Sequence, residues 1–225
     1  MKKIVLLFIN ILCFNLLVLS QPIQKGDLLF VGLPFDYASD DDMSGAISKA
    51  TGNKEEINYI HVAILDVDND GKIWIIDATI KHGVDRHPLD TFLADFTLHD
   101  GSLPQLDIMR LKNNKNVANY VEKSLQYLGK QYDIYFLPDN DLYYCSELVR
   151  DSYIKSNGKY IFSANPMSFK SEDGTYPAYW VKLFEKIGQK IPQGVNGTNP
   201  NAMSKEKCLK KVGGISTENG IIFFN

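Results

Sequence analysis

Cysteine is scarce in this chain of 225 residues, with three in all: Cys13, Cys145 and Cys208. Cys13 lies inside an N-terminal apolar segment, and the two that remain are too few for the disulfide framework of a small secreted domain. Basic residues never gather into a block longer than a few positions. The 24 Lys and Arg stand against 27 Asp and Glu, for a net charge of −3, which argues against nucleic acid as a partner. No internal repeat and no low-complexity tract is present. The one long hydrophobic run, Ile4 to Leu19, covers 16 positions and is broken by Asn10, Cys13 and Asn15; a spanning helix wants about 20.

What is there begins with a leader. Met1-Lys2-Lys3, the apolar run and the small residue Ser20 describe a secretory signal peptide over residues 1–20, cleaved near Ser20. Asn10-Ile11-Leu12 before Cys13 lacks the small residue of a lipoprotein site. Residues 21–225 are then expected to form one domain, exported to the periplasm or beyond.

The pattern mixes strands and helices without regular βαβ alternation. "GDLLFVG" (26–32), "NYIHVAILDV" (58–67), "KIWIIDATI" (72–80) and "LDIMRL" (106–111) are β-branched or apolar runs bounded by turn residues and predict strands. A helix is expected over 39–51, acidic at its front and stopped by Gly52, and another over 116–128 before Gly129. Further helices are expected from Cys145 towards Gly158, over 178–187 after Pro177, and from Ser204, where a short basic helix carries Cys208 on an exposed face with its thiol free. The class is α+β, with a small antiparallel sheet and helices packed to one side.

"DVDNDGKIWIIDA" (66–78) fits the calcium-loop pattern, with Asp66, Asp68, Asp70, Gly71 and Asp77 at the ligand and turn positions. That loop needs a helix on each side, and both flanks here are β-branched, so "DNDG" reads as a hairpin turn. In the hairpin, His61 and Asp77 lie opposite one another if Val67 faces Gly71 or Asp66 faces Lys72. A carboxylate beside an imidazole fixes its tautomer and stabilises its cation.

Cys145, in "DLYYCSELV", sits at or near the first turn of its helix. Unpaired backbone N–H groups and the positive end of the macrodipole meet a thiol there, and both favour thiolate. The same N–H groups can hold an oxyanion. Cys145, His61 and Asp77 therefore supply nucleophile, base and orienter, although taken singly each residue also has a packing role open to it.

These residues lie in motifs that resemble the permuted papain-like amidases of the YaeF/YiiX type, within the NlpC/P60 superfamily. The resemblance runs through "GDLLF", "YIHVAIL", "IIDATIKHGV", "YLGKQYDIYF" followed by "LYYCSELV", and "YPAYWVKLF…IPQGVNGTNP". Histidine precedes cysteine, reversing the usual papain order. The resemblance implies a circularly permuted papain-like fold, a small antiparallel sheet or half-barrel packed against helices. It implies Cys145 as nucleophile, His61 as general base and Asp77 at the acidic third position. Glutamate is expected there in relatives, so the shorter aspartate must sit nearer the imidazole or reach it through water. The implied activity is hydrolysis or transfer at an acyl group, with no cofactor and no metal. The expected substrate is a peptide, peptidoglycan or lipid amide, and the expected state a monomer at the cell envelope. Tyr132, Tyr135, Phe136, Tyr143 and Tyr144 are either groove or core.

Three other readings carry their own signals. A lipid-directed thiol acyltransferase would use a second histidine, His82 or His87, although "KHGVDRHP" reads more simply as an exposed loop. A non-enzymatic binding module would have lost one of the three site residues. A calcium-binding hairpin would bind through 66–77.

Overall fold

In the computed structural model, residues 23–39, 41–54, 56–218 and 221–224 are described; the leader peptide expected over 1–20 lies outside them. All six residues of β1 (Leu28–Leu33) are buried, the mark of a central strand covered on both faces. The elements that follow are α1 (Met43–Thr51), β2 (Asn58–Val67), β3 (Ile73–Thr79), β4 (Gly83–Pro88), α2 (Leu89–Asp95), β5 (Gln105–Leu111), α3 (Val117–Leu125) and α4 (Cys145–Ser152). The chain then forms β6 (Asn165–Pro166), α5 (Ala178–Lys186), β7 (Asn196–Gly197), α6 (Pro200–Ser204), β8 (Leu209–Glu218) and β9 (Ile221–Phe224).

The class is α+β. Seven strands in the order β4-β3-β2-β1-β5-β8-β9 form one curled antiparallel half-barrel, and β6 pairs with β7 in a separate ribbon. Leu28, Phe30, Val62, Ile64 and Ile76 pack on one face against Val121, Leu148 and Val149 of α3 and α4. Leu29, Val31, Ala63, Leu65 and Ile75 pack on the other against Leu89, Phe92 and Leu93 of α2. The helices are thus not confined to one side as expected, because β1 and β2 present apolar residues at successive positions and both faces need cover.

Local signals set most ends. Asp42 caps α1 by accepting from the Gly45 N–H at 2.8 Å, and Gly52 ends it. Two stretches depart from expectation. No helix begins at Ser204. Instead α6 ends there, opened by the Asn199 cap and Pro200, and Cys208 leads into β8. Leu209 and Ile215 of β8 are buried against β5. Burying each contributes roughly 1.5–3 kcal/mol, more than the few tenths of a kcal/mol per residue at stake in the helix propensity of "KEKCLKK". "KHGVDRHP" is not a loop either: residues 83–88 form β4, paired with β3 from Thr79↔Gly83 to Trp74↔Pro88. Both described cysteines are free.

The buried carboxylate of Asp27 ties the layers together. It accepts from Arg110 Nε at 2.7 Å and Nη2 at 2.8 Å across β1 and β5, and from the Gln24 N–H at 2.8 Å, so its desolvation is offset by two-pronged pairing.

Candidate active site

Cys145 is the first residue of α4 and is 5% exposed. The segment before it explains the "YDIYF…YYCSELV" spacing. Asp133, fully buried, accepts from the N–H groups of Tyr135 at 2.8 Å and Leu137 at 2.9 Å, which folds 133–137 into a tight loop. The Asp133 N–H donates to Tyr143 O, and the Tyr143 N–H donates to Gln131 O, both at 3.2 Å. The loop is thereby pinned to the residue two before the cysteine. At the helix start, the Glu147 carboxyl accepts from the Tyr144 N–H, the reach-back half of a capping box. Burial, then the nearby Asp133 and Asp151, push the Glu147 pKa up to about 9.

His61 sits at an irregularity in β2. Val31 pairs with His61 but Gly32 pairs with Tyr59, so Ile60 has no partner in β1. This bulge resets the faces: Tyr59 and Val62 pack with one core, Ile60 and Ala63 with the other. The His61 ring lies 4.8 Å from Phe96 and 6.1 Å from Phe92, which fixes its plane.

His61 Nε2 lies 2.7 Å from Asp77 Oδ2. The register differs from both expected ones: Val67 pairs with Ile73, across the five residues 68–72, and Ile64 pairs with Ile76. Asp77 is therefore a diagonal neighbour of His61 rather than directly opposite. The contact is direct, so the shorter acid needs no bridging water. The second ring nitrogen, Nδ1, is not engaged by Asp77, and Cys145 lines the same cavity as His61, near enough to bear on its charge. The three site residues named from the sequence are thus brought together.

A fourth residue joins them. His87, on β4 and 7% exposed, has Nε2 at 3.0 Å from Asp77 Oδ1. His82 is exposed and faces Asp95 at 3.2 Å instead. Sequence reasoning assigned both to an exposed loop. What separates them is the β3–β4 register, which puts His87 two positions from Asp85, the residue paired with Asp77, and which no local pattern in "GVDRHP" announces.

The electrostatics follow from burial and neighbours. Burial opposes charge on His61, but the electrostatic influence of the neighbouring Cys145 and then the hydrogen bond to Asp77 outweigh it and push its pKa up to about 10. Burial also opposes charge on Asp77, but the two imidazoles hold its carboxyl below the usual range. His87 is raised: burial works against the cation, and Asp77, Asp85 and Asp95 prevail.

Among the described residues, Cys145 lines at least two cavities. One, of about 470 Å³, is lined by His61, Thr79, Lys81, Asp95 and Phe96. The other, of about 50 Å³, is lined by Phe136, Tyr144, Met167, Phe169 and Trp180. Tyr132 borders both. Burial and then the charge of Cys145 push its pKa well above the usual tyrosine value, so its hydroxyl keeps its proton; its contact is Met43 Sδ at 3.7 Å. Of the five aromatic residues named from the sequence, Tyr143 turns away to pack on Tyr127, with ring centroids 4.5 Å apart, and Tyr135 lines neither cavity.

The aspartates of the 66–77 segment work separately. Asp66 pairs with Lys25 and Arg86, both at 2.7 Å. Asp68 accepts from the N–H groups of Asp70 and Lys72 and from Trp74 Nε1. Asp77 serves the histidines. Among the described residues, no group of three or more His, Cys, Asp or Glu is arranged to hold a metal ion.

The sequence pattern of the permuted papain-like amidase enzymes, YaeF/YiiX, C92 family, matches residues 22–213. The protein YiiX of Escherichia coli (strain K12) is 27% identical over 186 residues, covering 81% of this chain and 82% of that one. The crystal structure of metalloprotein yiiX from Escherichia coli O157:H7 superposes with a TM-score of 0.65, covering 86% of this chain and 98% of that one. Its 24% identity speaks to the fold alone.

Proposed function

Since the chain belongs to the permuted papain-like amidase family, whose members are cysteine hydrolase-like, we propose that it cleaves an amide or peptide bond with Cys145 as nucleophile, His61 as general acid and base, and Asp77 as its orienter. The observation that carries this reading is that Cys145 and His61 line one cavity while His61 Nε2 lies 2.7 Å from Asp77 Oδ2. An imidazolium with a sulfur on one nitrogen and a carboxylate on the other is the arrangement that keeps a thiolate ready for attack.

The Cys145 Sγ attacks the scissile carbonyl carbon and the S–C bond forms. The developing oxyanion is received by the Cys145 N–H, at a helix position without an intrahelical partner, and by the Tyr132 hydroxyl. The tetrahedral intermediate collapses with rupture of the C–N bond, and His61 gives its proton to the departing amine. Water, deprotonated by His61, then attacks the thioester, releasing the acid and the thiolate. The solved relative is described as a metalloprotein. Among the described residues of this chain, no group of three or more His, Cys, Asp or Glu is placed to hold a metal ion, so the residues at the site do not fit one, and no step uses one.

The same reading has residues 1–20 as a leader, the mature chain exported, and cell-wall stem peptides as substrate. Its support is the basic start and short apolar run. A second reading, acyl transfer from a lipid, requires the long chain to extend beyond the small apolar pocket beside Cys145. Both are tested by mass spectrometry of Cys145 after incubation with a cell-envelope extract. A peptidyl adduct supports the amidase and a long acyl chain supports the lipid enzyme. Cys145→Ala is expected to abolish turnover with the fold intact, and iodoacetamide to label Cys145 ahead of Cys208. A Cys145 that stays unlabelled in the folded protein removes the proposal.

A further inference from the structure

We infer that the group adjoining the scissile carbonyl on the acyl side is short, apolar and uncharged, seated in the aromatic slot beside Cys145, while the leaving amine occupies the wide cleft on the His61 side. This rests on Cys145 being the nucleophile.

The sidedness follows from the bonding. In the tetrahedral intermediate the carbon on Sγ carries an oxygen, the leaving nitrogen and the acyl chain. The leaving nitrogen takes its proton from His61, and of these two cavities, formed by described residues, the wide one is lined by His61 and the slot is not. The acyl chain is left with the slot.

The slot sets size and charge. Its volume is about 50 Å³. An apolar cavity of about 150 Å³ holds a benzene ring, so one third of that holds a group of about two to four carbons. The walls are fixed by mutual edge-to-face packing: Phe136 on Trp180 at 5.4 Å, Phe169 on Trp180 at 5.2 Å and Phe136 on Phe169 at 5.6 Å. Behind them, a Cβ on Gly197 would come within 2.5 Å of Met167 Sδ and 2.7 Å of the Tyr144 hydroxyl oxygen, so that wall has no slack. No Asp, Glu, Lys or Arg lines the slot, and an ion buried there would lose its hydration without a partner. Met167 is the adaptable part of the lining.

The test uses four p-nitrophenyl esters with one leaving group: acetate, butyrate, octanoate and hemisuccinate. kcat/KM is measured for each, and acyl-Cys145 is read by mass spectrometry from quenched reactions. Acetate or butyrate is expected to be fastest. Octanoate, four methylenes longer than butyrate, is expected to fall by on the order of tenfold or more, since a pocket already discriminates about tenfold over one methylene, and hemisuccinate to fall as far because its carboxylate would be buried unpaired. Met167→Ala is expected to raise the octanoate-to-butyrate ratio. Partial unfolding lowers all four rates together and leaves that ratio unchanged.

Octanoate as the best ester, hemisuccinate as fast as butyrate, or a ratio unmoved by Met167→Ala, each with the Cys145 adduct present, overturns the slot and spares the nucleophile. No adduct on Cys145 from any ester overturns both.

Discussion

Asp77 is shared by two histidines, with His61 Nε2 2.7 Å from Oδ2 and His87 Nε2 3.0 Å from Oδ1. Both carboxylate oxygens are therefore occupied on a residue that is 1% exposed. The orientation of His61 towards Cys145 depends on β4 as well as on the β2–β3 hairpin, and this coupling leads to the first two predictions.

Asp77→Asn removes the charge while keeping the shape. It is expected to lower kcat/KM by about 10², the low end of what a positioned acid–base pair contributes. The pH profile gives the sharper readout. Burial lowers the His61 pKa, and Cys145 and Asp77 together raise it to about 10. Without the carboxylate charge the folded pKa falls, so the alkaline limb of activity is expected to move to lower pH. An unmoved limb contradicts the assignment.

His87 divides into two variants. His87→Phe leaves Asp77 Oδ1 buried without a donor, expected to cost about 1–3 kcal/mol in urea denaturation. His87→Gln restores an N–H and is expected to recover most of that, and activity with it. The signs follow linkage. The His87 pKa is raised above 6.5, so its contribution is full below that pH and is lost as pH rises through the folded value; both variants remove this slope. The Asp77 pKa is lowered, so its contribution is present above the ordinary carboxylate range and is lost as pH falls through the folded value. With His87→Phe that loss begins at higher pH.

Tyr132→Phe deletes the hydroxyl bordering both cavities. As an oxyanion donor its loss is expected to lower kcat by about 10² to 10³. Stability is expected to change by less than about 1 kcal/mol, because the hydroxyl's contact is only Met43 Sδ at 3.7 Å. A fall in stability with kcat unchanged would make it a packing residue.

Much of this was legible locally. The stop at Gly52 and the strands around "DNDG" are carried by residues within a few positions of one another, whereas the helix expected from Ser39 starts only at Met43, capped by Asp42. Cys145 at a helix start was legible because "YYCSELV" places an amphipathic run directly after it. β4 and β8 were not legible. "GVDRHP" and "KKVGGISTE" carry too few apolar residues to announce a strand, and become strands because β3 and β5 present open edges to them. The single-sided helix layer failed for a related reason: a run buried at every position says that both faces are covered, but not by which element.

The sequence by itself determined the kinds of group available: a thiol at a helix N-terminus, a histidine and an aspartate on strands, and an acidic turn too short of helix to be a calcium loop. These depend on local propensity and on the side-chain periods of 2 and 3.6, which any short window carries. Tertiary structure alone decided that Ile60 bulges, that Asp77 meets His61 on the diagonal, and that His87 closes the second oxygen. Those are outcomes of register between segments far apart in the chain, fixed by burial on the two sheet faces.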